Sequence, residues 1–150
     1  MIDSHCHLYE IDEGEWGDNG LEAMICAGAD LETSKKSIEL AEKHPNVYAT
    51  VGIHPEGIFN FQFSIYKQLL NLTKSKKVVA VGECGLETGS EEEVELFKFN
   101  INLAKETGLP LVLHCRNMFN KVFEILDYDK VQMHCFTGNK EEMWGCVRRG

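Results

Sequence analysis

His5 and His7 stand at alternate positions in the opening segment DSHCHL, with Cys6 between them. Glu83, His114 and His134 follow at wide intervals, each ending an apolar run and each with a cysteine directly behind it. Imidazole nitrogens and carboxylate oxygens are the donors that divalent metals take from proteins. A site built from a few of them, with a position left for water, lowers the pKa of that water and supplies a nucleophile near neutral pH. One His-x-His alone is a weak signal, because a structural histidine satisfied by hydrogen bonds gives the same pattern. Its recurrence as His or Glu at the end of three further apolar runs favours a metal.

For these residues to meet, the segments that carry them must lie side by side. After the opening strand, short apolar runs recur as EAMICAG (22–28), VYATVGI (47–53), KVVAVGE (77–83), LPLVLH (109–114) and KVQMHC (130–135). Between them, apolar residues fall at helical spacing: Ile65, Leu69 and Leu72, then Val94, Phe97 and Ile101, then Met118, Val122 and Leu126. Ser90 with Glu93 predicts a capping box at the third helix between strands, and Asn139 with Glu142 predicts another at the last helix. Gly108 is suited to end a helix in the left-handed conformation, and Pro110 forces an extended start to the next strand. The acidic, weakly periodic segment LYEIDEGEWGDNG (8–20) predicts a loop or at most a short helix as the first crossover. Strands that are apolar almost throughout, alternating with helices, specify a parallel sheet covered by helices, so the fold class is α/β. The five candidate ligands then fall at the carboxyl ends of their strands, where parallel α/β sheets and barrels place their chemistry. His44, in the KHP turn after a helix, has no such placement and reads as a surface residue.

A chain of 150 residues that is 43% hydrophobic predicts one domain, 1–150. No charged-then-apolar leader and no apolar run near the roughly 18 residues of a membrane span are present, so a soluble cytoplasmic protein is expected. Six cysteines inside apolar runs read as reduced, buried thiols rather than a disulfide scaffold. A net charge of -9 argues against broad electrostatic adhesion to nucleic acid. It leaves a metal-centred nuclease open, because bound cations are the largest local charges at such a site.

Side chains of a strand alternate faces, so His5 and His7 project to one side and Cys6 to the other. Cys84, Cys115 and Cys135 are expected by the same rule to turn under the helices as small apolar residues, in preference to serving as metal thiolates. Cys26 and Cys146 read as core or surface thiols.

DSHCHL, VGIHPE, VGECGLE, LPLVLHCRN and MHCFTGN, in this order and spacing, resemble the signature segments of the TatD family of metal-dependent hydrolases, which are amidohydrolase-like TIM barrels. The resemblance runs over nearly the whole chain. It implies two divalent metal ions, with His5 and His7 on one, Glu83 bridging to the second, and His114 and His134 completing that second site. It implies hydrolysis of a phosphodiester, DNA above all, by a water that the two metals activate. His54, stiffened by Pro55, is expected at the same rim, touching substrate. Arg116 is expected to clamp a phosphate with its planar fork, the alternative being an ion pair with a surface carboxylate. The family's nucleases usually run with magnesium, whereas four imidazoles suit zinc or manganese better than an ion that prefers oxygen ligands.

Three departures from the family pattern stand out. The family carries an aspartate in a Glu-Thr-Asp segment on its last barrel strand, and no such segment is in this sequence. The first crossover is shorter, and Glu87 stands where the GLD segment has aspartate. A closed eight-stranded barrel typically takes about 250 residues, so 150 supply a TIM-barrel-like fold of about six of the eight strands. The first and sixth strands would then be open edges that invite a second copy or a complementary chain. Besides the metal-dependent phosphodiesterase, a catalytically inactive relative acting in binding or assembly is consistent with these departures. A metal-dependent esterase or amidase is a third reading.

Overall fold

The computed structural model of the chain describes residues 1–17, 20–60 and 62–149. Among the described residues there are six strands, β1 (Ile2–Cys6), β2 (Ala23–Cys26), β3 (Val47–Val51), β4 (Val78–Leu86), β5 (Leu111–Cys115) and β6 (Val131–Met133). They form one parallel sheet in sequential order, β1-β2-β3-β4-β5-β6, curled as in a TIM-barrel-like α/β fold. The helices are α1 (Glu13–Trp16), α2 (Leu31–Lys43), α3 (Tyr66–Leu72), α4 (Glu91–Thr107), α5 (Phe119–Ile125) and α6 (Lys140–Val147). Among the described residues, no helix is long and apolar enough to cross a membrane.

Sequential parallel order follows from the crossovers: each strand is followed by a segment that packs on the sheet and returns the chain to the adjacent position. The apolar runs of β3, β4 and β5 are buried on both faces, and with Phe97, Leu103 and Val122 from α4 and α5 they form a continuous core. β6 is half-buried throughout, and Ile2 at the start of β1 is exposed, as expected for the two edge strands. The edges are not independent: the Gln132 side-chain amide of β6 donates to Ser4 Oγ of β1 at 3.1 Å.

The first crossover is a 3₁₀ turn over Leu8–Glu10 followed by α1, in line with its weak periodicity, with residues 18 and 19 outside the described set. His44 departs from its sequence reading. It is half-buried, stands 2.8 Å from Glu13 and packs edge-on against Trp16 at 4.8 Å, tying α1 to the end of α2. Gly108 ends α4 at φ 71, and the Asn139–Glu142 capping box is complete at α6. At α4 only half of the expected box forms, because Ser90 accepts the Glu93 N–H while the Glu93 carboxylate turns to the preceding loop. Asp30 and Thr33 form a further box at α2 that the sequence reading did not single out.

Candidate metal centre

Glu83 sits within β4, three residues before its end, and is 4% exposed. Its position depends on a bulge. Val81 to Cys84 of β4 spans the same ladder length as Leu111 to Leu113 of β5, so β4 carries one extra residue there. β1 has the same irregularity, Asp3 to Cys6 opposing Met24 to Cys26, at His5. An extra residue re-aims the side chains beside it, and both bulges fall on candidate ligands. Close strand approach is part of the design: Gly85 has φ 144, and a Cβ on it would lie 1.9 Å from the His114 carbonyl oxygen.

Five imidazoles surround the Glu83 carboxylate and divide between its two oxygens. Oε2 faces His5 Nε2 at 3.2 Å and His7 Nε2 at 3.7 Å. Oε1 faces His134 Nε2 at 2.7 Å, His114 Nδ1 at 3.1 Å and His54 Nε2 at 3.6 Å. Thus the expected ligands His5, His7, Glu83, His114 and His134 converge on one point, and His54 joins them. Burial alone would push the Glu83 pKa up. Hydrogen bonds from His114 and His134, with the His5 ring close by, outweigh it and hold the group far below the ordinary carboxylate range. Burial also pushes the His54 pKa down, against the pull of Glu83. The hydrogen bond to Glu83 raises that of His114, against its desolvation.

The chemistry of this donor set fits divalent metals. Ligands of a common ion at about 2.0–2.1 Å stand roughly 3.0–3.5 Å apart, close to the spacings on each oxygen of Glu83. His5 gives the sharper sign: both of its ring nitrogens are buried, Nδ1 with no hydrogen-bond partner and Nε2 with only the poorly aligned Glu83 carboxylate at 3.2 Å. Orphaning a buried polar atom costs about 1–3 kcal/mol, a cost that a cation on Nε2 would offset. Among the described residues two clusters have donor atoms within 4.8 Å of one another, His5 with His7 and Glu83, and His54 with Glu83 and His114. The second takes in His54 and not His134. The His134 Nε2 is nevertheless the nearer of the two to Glu83, and His54 Nδ1 accepts the Glu56 amide N–H at 3.2 Å. That bond leaves the neutral His54 ring with its hydrogen on Nε2, a donor aimed at the site rather than a ligand.

A cavity of about 640 Å³ opens over the cluster, walled by His7, Tyr9, His54, His114, Arg116 and His134 among others. Arg116 is largely exposed, with Nε 3.8 Å from Glu87, so the ion-pair alternative is realised in a loose form. Cys6 and Cys84 point away from the cluster, their thiols donating to the carbonyls of Ile25 and Val112. Cys135 does not follow that pattern. It is exposed at the cavity mouth with φ 44, because β6 ends at Met133 and strand alternation no longer governs the chain beyond it. Sequence reasoning missed Tyr9, which is 2.8 Å from His7 Nδ1, and the contact of Glu87 with His114 Nε2 at 2.5 Å. It also missed Asn100 of α4, whose buried amide bonds both the N–H and the carbonyl of Ile53 and so anchors the loop bearing His54. Buried asparagine on an otherwise apolar helix face was the one available signal for it.

Comparison with known proteins agrees with the geometry. A family profile described as "TatD related DNase" matches residues 2–150. The "3'-5' ssDNA/RNA exonuclease TatD" of Shigella flexneri is 32% identical over 143 residues, covering 89% of this chain and 55% of that protein. Its counterpart in Escherichia coli is 30% identical over 143 residues, with the same coverage. The chain therefore spans about half the length of the curated relatives it matches. Among solved structures, the TatD homologue YJJV of Escherichia coli superposes with a TM-score of 0.86 at 26% identity, over 99% of this chain and 65% of that one. An uncharacterised amidohydrolase from Saccharomyces cerevisiae, at 17% identity and a TM-score of 0.76, shares the fold. A profile match along almost the entire sequence and a relative above 30% identity establish that this chain belongs to the TatD family.

Proposed function

We propose that the chain is a divalent-metal-dependent hydrolase of phosphodiester bonds in nucleic acid, with two ions held on either side of Glu83. The observation that carries this reading is the division of the Glu83 oxygens, Oε2 toward His5 and His7 and Oε1 toward His114 and His134. Ions bound there would lower the pKa of water and neutralise charge building on a phosphoryl oxygen.

The chain's own groups have separable tasks. Glu83, buried and ionised, supplies the fixed negative charge that both sides of the cluster share. His54 offers an N–H to a phosphoryl oxygen, its ring oriented by the Glu56 amide. Arg116, exposed at the rim, reaches a neighbouring phosphate, exchanging its loose contact with Glu87 for a bidentate one. The imidazole-rich donor set favours zinc or manganese over magnesium. The 3'-5' exonuclease activity for which the relatives are named supports a single-stranded substrate digested from its 3' end.

The test is digestion of single-stranded DNA and RNA, labelled at either end, by the purified chain loaded in turn with manganese, zinc or magnesium. Release of nucleotides from the 3' end, abolished by chelation and by His134→Ala, is expected. Stoichiometric metal with no cleavage of any phosphodiester would reject the proposal.

A further inference from the structure

An imidazole has two ring nitrogens, and a half-turn of the ring about its bond to Cβ puts a ring carbon in the place of each with little change of shape. Something beyond strand geometry must decide which one faces a metal. His7 presents Nε2 toward Glu83, and its Nδ1 lies 2.8 Å from the Tyr9 hydroxyl. His114 has the opposite order: Nδ1 faces Glu83, and Nε2 lies 2.5 Å from Glu87 Oε2. The two sides of the cluster thus use different nitrogens, and a different side chain occupies the far nitrogen in each case.

Both holders are themselves fixed. Tyr9 follows the buried Leu8 in the 3₁₀ turn, is half-buried, and stacks edge-on with the His7 ring at 5.7 Å. Glu87 lies in the β4–α4 loop, which the Glu93 carboxylate gathers by accepting the amide N–H groups of Glu87, Thr88 and Gly89. His5 needs no such holder, because its ring is stacked on that of His134 at 3.8 Å and 12°.

We propose that Tyr9 and Glu87 are positioning residues that select Nε2 of His7 and Nδ1 of His114 as the metal-facing atoms. This inference rests on the metal-binding reading given above. Partners on the far nitrogen of a ligating histidine fix its tautomer and orientation, and their loss typically weakens metal affinity about 10–100-fold.

Cobalt(II) titration followed by visible absorption tests it on the whole chain and on Y9F, E87Q and E87D. Y9F and E87Q are expected to weaken cobalt binding by about 10-fold or more each. E87D keeps the charge but is one methylene too short to hold the ring, so it should lose affinity as E87Q does. A role through charge alone would leave E87D like the parent, and would overturn the assignment for Glu87. A second measurement needs no variant. Long-range 1H–15N spectra of the zinc-loaded parent, labelled at histidine, should show His7 bound through Nε2 and His114 through Nδ1. Either ring bound through the other nitrogen refutes the proposal. A parent that takes up neither cobalt nor zinc would instead remove the metal reading itself, and this inference with it.

Discussion

Glu93 is the residue on which the loop beside the site turns, and its replacement by glutamine gives a worked expectation. The carboxylate is 6% exposed. It accepts from the amides of Glu87 at 3.1 Å, Thr88 at 3.0 Å and Gly89 at 2.7 Å, and from the Thr88 hydroxyl at 2.8 Å. Glu93→Gln keeps one acceptor oxygen and the shape but removes the charge. Hydrogen bonds to charged groups contribute about 1.5–3 kcal/mol against about 0.5–1.5 for neutral ones, so three backbone bonds lose roughly 1 kcal/mol each. The loop amides can recover part of this from water, leaving a net destabilisation of about 2 kcal/mol. Urea unfolding with a slope near 2 kcal/mol/M then moves its midpoint down by about 1 M. The pH dependence separates this account from simple misfit. Burial alone would raise the Glu93 pKa, but the amides of Gly89, Thr88 and Glu87 hold it below the ordinary range. A depressed pKa contributes stability that is complete above the unfolded value, near 4.3, and is lost as pH falls through the folded one. The other carboxylates titrate alike in both proteins and cancel in the difference. The gap between parent and Glu93→Gln should therefore be full at pH 7 and shrink at pH 3. A gap that is the same at both, or below about 0.5 kcal/mol at pH 7, would refute the reasoning.

Asn100→Ala leaves the buried N–H and carbonyl of Ile53 without partners and should cost about 2–4 kcal/mol by urea unfolding; a cost under 1 kcal/mol would show that water replaces the amide. His5→Ala should abolish metal occupancy measured by elemental analysis, whereas Cys6→Ala, whose thiol bonds the Ile25 carbonyl, should keep it; loss of metal in Cys6→Ala would place that sulfur among the ligands. Binding of single-stranded DNA to the metal-loaded protein should fall only shallowly with salt, log K against log salt having a slope of about -1.4 for two phosphates, one at the ions and one at Arg116; a slope steeper than about -3 would reveal a basic track elsewhere.

The sheet and the convergence of the candidate ligands were legible because both depend on short-range pattern. Apolar runs of strand length, ended by His or Glu and separated by helical stripes, leave few alternatives to a parallel sheet with its chemistry at one end. The remainder depends on contacts between distant residues. Nothing in VGECGLE announces that β4 carries an extra residue at Glu83, since a bulge is defined by the strand opposite. The Glu93 carboxylate fits the capping-box pattern, yet three free amides in the loop before it compete with the amide of Ser90 and win. Period-two alternation placed Cys6 and Cys84 correctly and failed at Cys135, two residues after its strand had ended. Tyr9 and Glu87 look like ordinary crossover and loop residues until the ring nitrogens they touch are known.

Electrostatics link the acidic composition to the proposed metal ions. Among the described residues that line the cavity, Arg116 is the sole lysine or arginine, against Glu10, Glu56 and Glu83. A polyanion approaching this rim meets net repulsion from a chain of charge -9. Two divalent ions on Glu83 would add four positive charges where the protein supplies one carboxylate, reversing the local sign. On the proposed reading the ions would be needed to hold a phosphate at all, before any bond is broken. Substrate binding and metal binding then become one linked equilibrium, and substitutions that loosen a ligating histidine should weaken both together.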